Sequence, residues 1–136
     1  MFTYVNLLLI GICNSACLTA EDLIKQNEGE VNFKPGSSRT VCWGSNADDL
    51  MQYLGKDYDE YAVKGWTLSE DECKTLFALK MGAAIKASYE LYGAGGPSCP
   101  CARAAAIDVI YDMSPDIVLV APQMKDYHGF LNMDEY

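Results

Sequence analysis

The sequence predicts an α+β domain that is mostly helical, with a small β element near the N-terminus and one long helix able to join two lobes. Three observations predict it. Ser69-Glu70-Asp71-Glu72 is a capping box placed directly ahead of an apolar stripe, the signature of a strong helix start. Residues 31–45 are punctuated by Gly and Ser and contain Val31, Phe33, Thr40, Val41 and Trp43, a pattern that suits a short hairpin better than a helix. Finally, 136 residues of which 50% are apolar and 21% charged suffice for one domain with a core, and exclude a disordered tail.

Taken in order, the chain opens on a segment without a single charged side chain, Met1–Ala20. Its apolar block Val5–Ile12 precedes the small residues Asn14-Ser15-Ala16, which reads as a secretory signal at 1–20, cut between Ala16 and Ala20. The segment lacks a basic start, and Asn6 interrupts the block; a buried first helix and an uncleaved signal anchor are the alternatives. The block falls short of the ~18 apolar residues of a stable span, so a secreted protein with no membrane span is expected. Residues 21–136 then form a single domain.

Thr19 is an N-cap for a first helix that has Glu21 and Asp22 in its first turn and stops at Glu28-Gly29. Asn46 caps a second helix, 47–54, and Gly55 ends it. Behind the capping box, Cys73, Phe77, Met81, Ala84 and Leu91 recur at helical spacing, so the helix 70–92 should bury that face. Its 23 residues would span about 35 Å at 1.5 Å per residue. Gly93–Pro97 breaks it. Pro100 stands at the start of a further helix, 101–113, which Ser114-Pro115 stops. The apolar run Ile117–Ala121 then offers cover for that helix, and a lobe or cleft site is where a substrate is expected.

Ten basic against nineteen acidic side chains give a net charge of 10 − 19 = −9. Such a surface excludes a phosphate-backbone binder, so no nucleic-acid partner is expected. With the leader removed, Cys42, Cys73, Cys99 and Cys101 remain, Cys17 lying at the cut. Four cysteines in a small secreted domain suggest two disulfides. Cys99 and Cys101 flank Pro100 too tightly to bond each other, so Cys42 and Cys73 are their expected partners, in either order. The C-x-C spacing is not that of structural zinc, and no metal or other cofactor is expected. The lone histidine, His128, reads as a surface residue.

Three segments in order resemble the phage-type lysozymes, glycoside hydrolase family 24, including their secreted invertebrate members. Leu23-Ile24-Lys25-Gln26-Asn27-Glu28-Gly29 looks like the family's first helix with its catalytic Glu-Gly. Thr40-Val41-Cys42-Trp43-Gly44-Ser45-Asn46 is similar to its Thr-Ile-Gly-Tyr-Gly-His strand. Arg103–Met113 is close to its Arg-Ala-Ala-Leu-Ile-Asn-Met-aromatic helix, and Gly65, Leu68-Ser69 and Leu76-Phe77 match the start of its interlobe helix.

The resemblance implies a lysozyme-like fold and a monomeric muramidase of antibacterial defence, hydrolysing the β-1,4 bond of peptidoglycan. Glu28 would be the general acid, which must stay protonated near neutral pH to donate to the leaving oxygen. Thr40 would orient the water or the sugar, and Trp43 and Asp112 would contact substrate. Two features depart from the family. Its Asp between Glu and Thr is missing, with Phe33-Lys34-Pro35 standing where aromatic-Lys-Asp is expected, and Glu30, two residues past Glu28, is no easy substitute. The family's helices after the Arg-Ala-Ala motif are cut to Ser114–Tyr136, an incomplete C-terminal lobe. The alternative is therefore an inactive lysozyme-like protein that binds peptidoglycan or a protein partner.

Overall fold

The computed structural model describes residues 17–93 and 99–115. The leader block, His128 and the Ile117–Ala121 run fall outside them. Among the described residues the protein is mostly helical, with five helices: α1 Ala20–Glu28, α2 Ala47–Leu54, α3 Tyr58–Lys64, α4 Glu70–Tyr92 and α5 Pro100–Met113. None of them is long and apolar enough to cross a membrane.

The helix ends follow from local chemistry. Thr19 Oγ1 accepts the Asp22 N–H at 3.2 Å, and Gly29 leaves α1 at φ +76. Asn46 and Asp49 form a reciprocal box at the start of α2, and Gly55 closes it in the left-handed region. The same exchange joins Ser69 and Glu72 at the start of α4, at 3.0 and 3.1 Å. Helix α3 is additional to the elements expected above. Its signals are local and short: Asp57 caps it through the Glu60 N–H, and Gly65 ends it at φ +70.

The expected hairpin is reduced to two isolated antiparallel bridges, Asn32–Cys42 and Val41–Ser45. Three residues, Cys42-Trp43-Gly44, turn the chain between the members of the second bridge. Both Cys42 (φ +59) and Gly44 (φ +72) adopt left-handed backbone to do so. Neither bridge extends into a ladder among the described residues.

The chain divides into two units, one of residues 24–82 and one whose described residues are 17–23, 83–93 and 99–115. In the first, Val41, Cys42, Leu50, Tyr58, Leu68, Cys73 and Leu76 form the core, with Val31, Phe33 and Trp43 packed against it. In the second, α5 buries Ala104, Ala106, Ile107, Ile110 and Tyr111. Along α4 the buried set is Cys73, Leu76, Phe77, Lys80, Ala84, Ala87, Ser88 and Tyr92, whereas Met81 and Leu91 are half-buried. The stripe therefore lies to one side of the expected face, and it includes a lysine.

The disulfide pairing also differs from expectation. Cys42 bonds Cys73 and Cys17 bonds Cys101, with Cα–Cα distances of 5.2 and 5.6 Å. Cys99 is disulfide-bonded as well. The reason is placement. Cys42 in the turn and Cys73 in the first turn of α4 belong to one unit, and Cys17 and Cys101 to the other. The expected pairing left Cys17 aside because the expected cut falls between Ala16 and Ala20.

Candidate active site

Glu28 is the last residue of α1 and is half-buried. Its carboxyl occupies the space that a side chain on Gly44 would fill: a Cβ there would come within 2.8 Å of Oε1 and closer still to the other carboxyl atoms. Only glycine permits that approach, and only glycine takes φ +72 without steric cost. Two expected motifs, Glu-Gly at the end of the first helix and Gly-x-Asn after the turn, are thus in contact within one unit.

Thr40 stands just before Val41, at the start of the turn that ends in Ser45. Its carbonyl accepts from Asn32 Nδ2 at 3.1 Å, Ser38 Oγ at 3.3 Å and the Tyr58 hydroxyl at 3.4 Å. Tyr58 is buried, and its hydroxyl also exchanges hydrogen bonds with the Gly36 backbone at 3.0 Å. The main chain at Thr40 is therefore anchored from three sides. Val41 and Ser45 exchange backbone hydrogen bonds at 2.8 and 2.9 Å, which closes the turn.

Trp43, at the apex, is half-buried and meets Phe77 edge-on, centroids 5.2 Å apart. The Lys25 ammonium lies 4.7 Å from the Trp43 ring centroid and 5.0 Å from that of Phe77, inside cation–π range of both. The Trp43 ring is thus engaged from within the chain. Lys25 precedes Glu28 by one helical turn, which puts a cation on the same side of α1 as the carboxyl.

Beneath Gly44 lies a group that the sequence reading missed. Lys80 is buried, and its Nζ pairs with Asp49 Oδ2 at 2.9 Å and donates to the Gly44 carbonyl at 3.3 Å. Asp49 Oδ2 also accepts the Asn46 N–H at 3.0 Å. Asp49 lies in the first turn of α2. The signal lay in α4, where a lysine interrupts a buried stripe and so demands a carboxylate partner. Ser45, where the resembled family has a histidine, is 1% exposed, and its hydroxyl has no hydrogen-bond partner among the described residues.

The remaining carboxylates near this segment have other settings. Glu30 and Asp48 are exposed, and Asp49 is committed to Lys80. Pro35, which stands where the family has its Asp, is fully buried. Asp112 is exposed on α5 and belongs to the other unit. An open cleft of about 500 Å³ lies between the Gly36–Arg39 segment and the starts of α2 and α3, but neither Glu28, Thr40 nor Trp43 lines it. Among the described residues no cluster of His, Cys, Asp and Glu could hold a metal ion.

The chain matches no protein-family model, no curated protein and no solved structure.

Proposed function

We propose that the protein is a secreted lysozyme-like muramidase of α+β fold that hydrolyses the β-1,4 bonds of peptidoglycan with Glu28 as general acid. One observation carries the reading: the Glu28 carboxyl, at the end of α1, rests on Gly44 of the turn that begins beside Thr40. These are the first two of the three segments that carry the resemblance. The chemistry needs a carboxyl that can donate a proton to the leaving oxygen, and the half-buried Glu28 carboxyl is the group offered for it. Proton donation from Glu28 to the glycosidic oxygen breaks the C–O bond and leaves an oxocarbenium-like sugar; water adds to the anomeric carbon, and its proton returns to the Glu28 carboxylate. The disulfides suit an oxidising, extracellular setting. A turbidity assay on bacterial walls tests the proposal: the wild type clears the suspension and Glu28→Gln does not. Clearing that survives Glu28→Gln ends the assignment.

A second reading has its own observation. Pro35 is buried where the resembled family has its Asp, and Asp49 is paired with Lys80, so neither position offers the second carboxylate. A lysozyme-like protein that binds the wall without cutting it fits that feature. Retention on insoluble peptidoglycan without release of reducing ends would favour it.

A further inference from the structure

We infer that the buried Lys80–Asp49 ion pair is a positioning device for Glu28, acting through the main chain of Gly44. The inference rests on the muramidase reading for its catalytic consequence, but its geometry stands independently.

Lys80 Nζ contacts Asp49 Oδ2 at 2.9 Å and the Gly44 carbonyl at 3.3 Å, with its side chain only 5% exposed. An ammonium so far removed from water must be matched by a carboxylate and by hydrogen bonds, and these oxygens contribute to both. The same Asp49 oxygen accepts the Asn46 N–H. One cation and one anion therefore hold two groups of a three-residue stretch: the Gly44 carbonyl on the lysine side and the Asn46 amide on the aspartate side. Between them, Ser45 uses its own amide and carbonyl on Val41. The stretch has little freedom left, and the Glu28 carboxyl rests on its first residue.

Position matters because Gly44 offers no side chain of its own to guide the acid. The carboxyl rests against the Gly44 backbone, and a charge pair bridging α2 and α4 holds that backbone. Displacing a reacting group by about 1 Å commonly costs about a hundredfold in rate. Loosening this platform is therefore expected to lower kcat while leaving KM near the wild-type value, since no group that binds the sugar is altered. Lys80 and Asp49 are positioning residues in this account. Neither touches the substrate.

The test compares Lys80→Met, Lys80→Arg and Asp49→Asn with Lys64→Met, which breaks an exposed pair with Glu60 on α3. Asp49→Asn keeps an acceptor for the Asn46 amide and guards against a Lys80→Met protein that fails to fold. Two readouts are taken on folded protein: the NMR signals of the Gly44 amide and the Glu28 carboxyl carbon, and the kinetics of reducing-end release from purified peptidoglycan. We expect both signals to move in Lys80→Met and Asp49→Asn, with kcat down about tenfold or more and KM held. Lys80→Arg should recover much of each, and Lys64→Met should match the wild type. Unmoved signals in Lys80→Met and Asp49→Asn overturn the proposal, and so do moved signals with wild-type kcat in an active enzyme. If the wild type itself releases no sugar, the muramidase reading fails, and the two signals alone decide whether the pair sets the carboxyl.

Discussion

Replacing Gly44 by alanine probes the contact on which the candidate site is built. Two costs add. The backbone at φ +72 is left-handed, which charges a residue with a Cβ roughly 1–2 kcal/mol. The new methyl also lands on the Glu28 carboxyl, at 2.8 Å from Oε1 and nearer to the rest, so that side chain must leave its rotamer, at about 1 kcal/mol more. The total, about 2–3 kcal/mol, corresponds to a fall in Tm of roughly 8–12 °C for a domain of this size. Gly55 provides the matched control. It too is left-handed, at φ +66, but a Cβ there meets nothing within 4 Å. Gly55→Ala should therefore show the backbone cost alone and keep its activity on cell walls. Gly44→Ala should be the less stable by about 1 kcal/mol and lose about a hundredfold in lysis rate, because the acid is displaced. Thermal melts and a turbidity assay on both variants decide the matter. Equal stabilities with equal, undiminished activities would refute the reasoning.

Further outcomes follow from the same geometry. Replacing Cys42 and Cys73 together by serine opens a cross-link between residues 31 apart, and the chain-entropy model sets the loss near 3–4 kcal/mol, readable in urea unfolding. Ser45→Ala removes a buried hydroxyl without a partner among the described residues, so it should leave stability unchanged or raise it by up to about 1 kcal/mol. The Glu72 carboxyl is held below its ordinary range by the Ser69 backbone N–H and then by the Lys56 ammonium at 3.0 Å. Because the folded-state value is the lower one, its contribution is complete above the unfolded value of 4.5 and fades as pH falls through the folded one. Glu72→Gln should therefore flatten the acid limb of a stability–pH profile; an unchanged limb contradicts the assignment.

Much of the helical layout was legible in the sequence because it is written in caps. Thr19, Asn46 and Ser69 announce three helix starts, and Gly29, Gly55 and Gly93 stand just beyond three ends. Each is a local rule that needs no knowledge of the rest of the chain. Helix α3 escaped because seven residues are too few to display a period, although Asp57 and Gly65 marked its ends. The hairpin was overread for the converse reason. Val31, Phe33, Val41 and Trp43 favour strand, but only isolated bridges form there. Apolar residues there serve the core rather than a ladder.

Long-range pairing was the hardest to read. The exclusion of a Cys99–Cys101 bond rested on local geometry, but which partner each cysteine takes depends on the unit in which it lies. The contact of Glu28 with Gly44 was implied only by the resemblance of two motifs, since the fifteen residues of intervening chain carry no pattern that brings them together. Lys80 was written over by the apolar residues around it. A charged side chain within a buried stripe is as informative as the stripe itself, because it requires an opposite charge somewhere in the fold.

The most direct test of the account is the chemistry of the wall fragments. Purified, insoluble peptidoglycan is incubated with the wild type and with Glu28→Gln, and the soluble products are sized by mass spectrometry after reduction with borohydride. The account predicts fragments ending in reduced N-acetylmuramic acid from the wild type, and none above background from Glu28→Gln. No fragments from either protein, or equal amounts from both, would contradict it.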